Sequence, residues 1–372
     1  MRRYRQLTDD GPLSENARGL MAVVMRQGDL PRSEITQHTN LSQQSVHRIT
    51  DALLGRGLLR LRKPTISGPG KPSPRVAIDP DAHVSFGLSV GTGQVTACAL
   101  ALTGAPIAES PVDADPNDPA AVRDTFLDLV AEWMDGTTSG RRCVGIGVAM
   151  QGYREGHADV FFPPGPLDRW RGLSLTEFLG RGTHLQTFVE NNATSSAIAE
   201  HYLGAGPDQG SLAYLSFNYG FGVGLFIDGN PFIGSHGNAG EISAIFSPEQ
   251  SALRPALQSL IPRLAPEGAP RHRAFQAVIG AVPASDPRVE SWVAEVRPQL
   301  HLALRTLKAV ADPSVVVFGG EAPDTLRQRL IEASEGAFAG QTTPNPMLTA
   351  SAIAGDPAHL GAAFLPLHRL VY

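Results

Sequence analysis

Leu41 to Gly57 reads LSQQSVHRITDALLGRG. In a helix, Val46, Ile49, Leu53 and Leu54 fall at i, i+3, i+7 and i+8, a single apolar stripe suited to a core. Ser42 stands where an N-cap hydroxyl is wanted, and Gly57 where the helix should stop. Gln43, Gln44, Ser45, His47 and Arg48 are left on the open face, with no carboxylate before Asp51. Amide, hydroxyl, imidazole and guanidinium groups suit base edges and phosphates, although an ordinary surface helix also satisfies this pattern.

The flanking residues decide between the two. Upstream, ENARGLMAVVMRQG puts Leu20, Val23 and Val24 on one helical face, and PRSEITQHTN predicts a short second helix entered at Pro31, with Asn40 at the following turn. Three helices joined by tight turns make a helix-turn-helix. Downstream, GLLRLRK predicts a strand, PTISGPGKPSPR a turn and RVAID the returning strand. The result is a wing whose cations are Arg60, Arg62, Lys63 and Lys71. Residues 14–78 therefore resemble the winged helix-turn-helix at the front of ROK-family repressors, in which "LS..SV" followed by "L...G" marks the recognition helix.

Charge supports a polyanion partner for this head. Through Pro80 there are 13 Arg and Lys against 7 Asp and Glu, a net of +6; beyond it there are 18 against 29, a net of −11. A basic head is joined to an acidic body. The 372 residues suggest two or three domains, and 42% hydrophobic with 18% charged residues is enough apolar material for a sizeable core. No apolar run approaches the ~20 residues of a membrane span. Met1 to Asp10 has no signal-peptide core, and the only cysteines, Cys98 and Cys143, fit a reducing cytoplasm.

From His83 the pattern becomes VSFGLSV, GTG, QVTACALAL and PIAES, then a helix over Pro119 to Met134 and a buried strand, CVGIGVAM. A second block opens at QTFVENN, with a helix to Leu203, and continues through SLAYLSF, GVGLFIDG and SVVVFGGE. This order resembles the ROK domain from Val84 to Gly361. It implies an α/β fold: the winged helix-turn-helix, then a two-lobed actin-like ATPase (ROK) domain over 83–372. The small lobe would take 83–188 plus a C-terminal helix over 357–370, and the large lobe 189–350.

The letters that carry the family's chemistry differ. Kinases of the family open with D-x-G-G-T, where the carboxylate lies near the metal; here the run is Ser89-Val90-Gly91-Thr92-Gly93. The second phosphate loop, G-T-G-x-G-x-G, is Asn218-Tyr219-Gly220-Phe221-Gly222-Val223-Gly224, and Tyr219 is expected to obstruct it. Either loop could equally be a glycine β-turn. The family's E-N-D-A-N, whose Asp is the general base, is Glu190-Asn191-Asn192-Ala193-Thr194, and an amide cannot take a proton near neutral pH. Asn191 and Asn192 can hold a polyol hydroxyl, or cap the next helix, or both. Gly319-Gly320, which adjoins the nucleotide in the kinases, could simply end a strand.

The family's zinc site is also gone. G-E-I-G-H is Gly240-Glu241-Ile242-Ser243-Ala244, and IFSPEQSALRPALQSLIPR after it holds neither Cys nor His. Glu241 keeps the family's sugar-contacting carboxylate, and His236 is a nearby candidate ligand contact.

These residues imply no catalytic residue, metal or cofactor. The expected DNA-contacting set is Gln43, Gln44, Ser45, His47, Arg48, Arg62, Lys63 and Lys71, and the expected effector set is Asn191, Asn192, Glu241 and His236. The resemblance implies a repressor that binds double-stranded DNA as a homodimer or higher homo-oligomer and senses a sugar or its derivative. A ligand-independent DNA-binding scaffold and a sugar kinase are the alternatives. Elemental analysis of the purified chain is expected to find no stoichiometric zinc; about one zinc per chain, resistant to dialysis against chelator, would contradict the motif reading.

Overall fold

The computed structural model describes residues 4–63, 74–156, 159–181, 183–206, 210–265, 283 and 285–372. The head is built on helices α1 (Glu15–Gln27), α2 (Arg32–Ile35) and α3 (Gln43–Gly55). The Ser14 and Ser42 hydroxyls cap α1 and α3, accepting from the backbone N–H groups of Ala17 and Ser45. Val46, Ile49 and Leu53 are buried against Leu20, Met21 and Val24 of α1, while Leu54 is half-buried. Gly57, with φ +68°, turns the chain out of the helix. Among the described residues the wing has three strands: β1 (Leu30–Pro31), β2 (Leu59–Arg62) and β3 (Arg75–Ile78), in antiparallel order β1-β3-β2. At two residues, β1 is too short to show the alternation that would reveal it.

The first lobe contains β4 (His83–Val90), β5 (Val95–Ala101), β6 (Pro106–Pro111), α4 (Pro119–Asp135), β7 (Arg142–Met150), the hairpin β8 (Tyr153–Arg154) and β9 (Phe161–Phe162), α5 (Leu175–Gly180) and β10 (Thr187–Asn191). Its sheet runs β10-β7-β4-β5-β6, with the β10-β7-β4 part parallel. β4 is buried along its whole length, as expected for a strand covered on both faces. β10 continues to Asn191, so the first sheet extends past the expected lobe break at 188/189. Its last residues complete a parallel register with Val148, Ala149 and Met150.

Helix α6 (Asn192–Leu203) leads into the second lobe: β11 (Ser211–Phe217), β12 (Phe221–Ile227), β13 (Asn230–Pro231), α7 (Pro248–Ser251), α8 (Leu257–Leu264), α9 (Pro287–Ala311), β14 (Val315–Gly319), α10 (Asp324–Ala333) and β15 (Met347–Ala350). The second sheet is ordered β13-β12-β11-β14-β15. The terminal helix α11 (Ala358–Leu370) packs on the first sheet, α6 packs on the second, and the two helices touch one another between the sheets. Among the described residues no helix is long and apolar enough to cross a membrane.

The α6–α11 crossing is a backbone contact. A Cβ on Gly361 would stand 1.7 Å from the Ser195 carbonyl oxygen, and one on Gly147 the same distance from that of Ala362. Gly361→Ala is therefore expected to lower stability by at least about 1–3 kcal/mol. Gly19→Ala in α1, where nothing lies within 4 Å, should be neutral or slightly stabilising. Denaturant midpoints of the two variants check this.

Candidate functional site

The parallel strands of the first sheet deliver their C-terminal ends to the space between the lobes, where α/β folds place ligands. A cavity of about 260 Å³ lies there. Gln151 and Gly152 follow β7, Asn191 and Asn192 end β10 and begin α6, Ser216 and Asn218 end β11, and Glu241 comes from the loop after β13. Its apolar wall includes Tyr153 and Phe162, which stack with ring centroids 5.0 Å apart, and Phe221. A flat aromatic face among amides and hydroxyls suits a polyol with one apolar side.

Three of the four expected effector residues meet in this cavity. Asn191 is the N-cap of α6: its Oδ1 accepts from the Ala193 N–H at 2.7 Å and its Nδ2 donates to the Gly152 carbonyl. Its amide is occupied by structure. Asn192, only 3% exposed, donates from Nδ2 to the Ser89 hydroxyl at the 3.5 Å limit, and its buried Oδ1 has no partner among the described residues. The positions of the family's metal carboxylate and base are therefore a neutral Ser–Asn pair, with one acceptor unpaired. Glu241 is half-buried, and desolvation alone pushes its carboxyl up to about 7. His236 is the exception. It lies exposed on the Gly234–Gly237 loop and does not line the cavity.

Beyond Ser89 a second cavity, of about 290 Å³, occupies the place of the phosphate loops. Three N–H groups beside it are already taken. Thr92 N–H donates to Gln151 Oε1 at 3.1 Å, Gly320 N–H to the Tyr214 hydroxyl at 2.6 Å, and Glu321 N–H to Asn218 Oδ1 at 2.7 Å. Asn218 Nδ2 donates in turn to Asp356 at 3.0 Å. The obstruction expected from Tyr219 is thus made by Asn218, because Tyr219 packs against the second-lobe core and lines neither cavity. Glu109, Glu321 and Asp356 line this cavity, and among the described residues no Lys or Arg does. Burial, and then the Asp356 charge, push the Glu321 carboxyl up to about 8.

Other residues of the cleft escaped the sequence reading. Arg154 and Asn238 exchange two hydrogen bonds, Arg154 N–H to Asn238 Oδ1 at 2.7 Å and Asn238 Nδ2 to the Arg154 carbonyl at 2.9 Å. Arg154 also pairs with buried Glu190 at 2.8 Å, so this clasp ties the β8–β9 hairpin to both lobes. Only Gln151 carried a usable signal, its place immediately after a buried strand.

On the head, Gln43, Gln44, His47 and Arg48 are exposed and Ser45 is half-buried. His47 Nδ1 lies 3.1 Å from Arg32 Nη1, and Arg32 pairs with Asp51 at 2.6 Å, bracing α3 against α2. Arg62 and Lys63 are exposed at the wing; Lys71 lies outside the described residues. Among the described residues no group of three or more His, Cys, Asp or Glu is placed to hold a metal, and residues 245–263 cannot supply the family's zinc ligands.

A winged helix-turn-helix joined to a two-lobed actin-like body defines the class of protein. A family profile, that of the ROK family, matches residues 85–369, and the chain belongs to that family. An uncharacterized protein, y4fQ, of Sinorhizobium fredii is 25% identical over 97% of this chain and 92% of its own length. The xylose repressor of Bacillus subtilis is 21% identical over 61% of this chain, and the NagC regulator of Escherichia coli 24% identical over 62%. Those two matches span 59% and 57% of the relatives' own lengths. A crystal structure of a ROK family transcriptional regulator, a homolog of the E. coli MLC protein, superposes with a TM-score of 0.75 at 18% identity over 96% of both chains. The ROK hexokinase of Thermus thermophilus superposes at 0.59 and 24% identity, over 75% of this chain and 96% of its own. The family thus includes both repressors and kinases.

A carboxyl whose folded pKa is raised keeps a proton that the unfolded chain has lost. For Glu241 that window runs from 4.5 to about 7, and stability falls as pH rises through it. Glu241→Gln is expected to flatten this loss and to be more stable than wild type above pH 7, in thermal unfolding measured across the range. Identical slopes for the two proteins would show that Glu241 titrates normally.

Proposed function

We propose that this protein is a DNA-binding transcriptional repressor whose ROK body binds an unphosphorylated sugar or sugar derivative and does not phosphorylate it. One observation carries this reading: phosphate-loop N–H groups are capped by the chain's own Gln151, Asn218 and Tyr214, while Asn192 and Glu241 line the neighbouring cavity and the buried Asn192 Oδ1 has no partner among the described residues. A nucleotide would have to displace three internal hydrogen bonds and enter a space lined by carboxylates. A polyol meets neither cost. The repressor names of its relatives and the exposed polar face of α3 support DNA as the partner. The expected assembly is a homodimer on a palindromic site in the cytoplasm.

Coupling between cleft and DNA has a route in the N-terminal segment. Arg5 and Gln6 run beside β7, with the Cys143 N–H donating to the Arg5 carbonyl at 2.9 Å. Arg56, the C-cap of α3, donates to the carbonyls of Leu7 and Gly11 at 3.2 and 2.7 Å. The segment therefore links the first sheet to the end of the recognition helix, and the coupling is limited by the ligand's preference between body conformations.

Three experiments test this reading. A thermal-shift screen of the full chain with unphosphorylated sugars should give a concentration-dependent hit that Glu241→Ala loses, with operator affinity in the absence of ligand unchanged; no hit would leave the ligand-independent scaffold. Asn192→Asp should still fail to turn over ATP. On DNA, Gln44→Ala should lose about 1–3 kcal/mol of discrimination, whereas Lys63→Ala should weaken all sequences alike and flatten the salt dependence. Equal losses on specific and random DNA for both variants would contradict the assignment.

A further inference from the structure

Between head and body lies another cavity, of about 560 Å³, that the reading above leaves unused. Helix α1 supplies Arg18 and Arg26, the last turn of α11 supplies His368 and Arg369, α6 supplies His201, and the β12–β13 turn supplies Asp228. Three guanidiniums therefore converge on a concavity with Asp228 as the one carboxylate among its described lining residues. Arg18 spends one N–H on the Arg369 carbonyl, at 3.0 Å, and its other donors remain. Among the described residues the side chains of Arg26 and Arg369 enter no ion pair or hydrogen bond, although the body as a whole is acidic.

The histidines are set in the wall. His201 stacks on Phe226 with centroids 4.0 Å apart, and His368 Nδ1 lies 2.9 Å from the Tyr202 hydroxyl. Both are held neutral, with pKa values down to about 4. Burial is the main cause for each; Arg26 adds to it at His201, and Arg369, His201 and Arg18 add to it at His368. The guanidiniums thus lie close enough for their fields to suppress charge on the rings. A small anion would relieve that like-charge crowding, and arginine's fork matches carboxylate and phosphate oxygens in pairs.

We propose that this cavity is a second ligand site, for a compact dianion, either a phosphate ester or a dicarboxylate, gripped by Arg18, Arg26 and Arg369. Arg18 and Arg26 belong to the head and Arg369 to the body, so the bound anion pins one to the other. Linkage then requires that operator binding change anion affinity by the factor by which the anion changes operator affinity. The site is separate from the cleft, and its test does not depend on the cleft binding anything.

The probes are inorganic phosphate and succinate, titrated into the full chain at constant ionic strength and followed by calorimetry and by the His ring signals in NMR. Saturable binding of at least one probe is expected, with the signals of His201 and His368 moving and their titration shifted upward. Arg26→Gln with Arg369→Gln should weaken it by tenfold or more; Arg181→Gln, an exposed arginine outside the cavity, should not. Both substitutions in the double variant fall on exposed side chains, and an unchanged melting temperature will show that it folds. Failure of both probes to bind or to move the two histidines in wild type would overturn the proposal, as would undiminished binding by the double variant. If instead the double variant reduces the salt slope of operator binding and neither probe binds, these arginines serve DNA phosphates and the site does not exist.

Discussion

The structure depends on how closely α6 and α11 approach each other between the two sheets. Gly361 brings the α11 backbone against the Ser195 carbonyl, Gly147 admits α11 to the first sheet, and Gly224 admits α6 to the second, where a Cβ would come within 2.0 Å of the Ala193 oxygen. Side chains cannot relax a clash with backbone, so this spacing sets the relation of the lobes. It also sets the site. Asn191 and Asn192 open α6, and their position in the cleft follows from where α6 can lie.

Polar bookkeeping then decides what the cleft can do. Buried polar atoms are nearly always paired in folded proteins. Here Gln151 Nε2, Asn192 Oδ1 and Glu321 Oε2, on residues that line the two cavities, are buried without partners among the described residues. The backbone N–H groups nearby, which a phosphate would need, are paired instead. A space that satisfies its own phosphate donors and keeps unpaired polar groups in its walls favours a neutral polar guest over a nucleotide. Raised carboxyls at Glu241 and Glu321 point the same way, since a protonated acid donates a hydrogen bond that a carboxylate cannot.

Head and body share one continuous apolar core, in which Leu20, Met21 and Val24 of α1 are clustered with Leu102, Phe364 and Val371 of the body, and polar contacts add to it. Arg142 pairs with Asp10, Arg56 reaches two carbonyls of the N-terminal segment, and Arg18 reaches the end of α11. A packed core transmits strain, so this junction couples the orientation of the head to the body.

Much was legible in the sequence. The apolar stripe of α3, the cap at Ser42, the burial of β7 and the loss of the family's base, metal carboxylate and zinc ligands all act through neighbours a few residues apart or through the residue types themselves, and these a sequence displays directly. What only the tertiary structure decided is which of the remaining polar groups are free. Asn191 and Asn192 look equivalent in the chain, yet one is consumed by its helix and Gly152 while the other keeps a buried oxygen with no partner among the described residues. Asn218, not Tyr219, closes the second phosphate loop, because its partner Glu321 is 103 residues away along the chain. His236 falls outside the cleft, and Arg26 and Arg369 come to face one cavity from opposite ends of the sequence. Periodicity and spacing report interactions within a turn or two, whereas a hydrogen bond or a charge cluster across such distances exists only once packing has brought its members together.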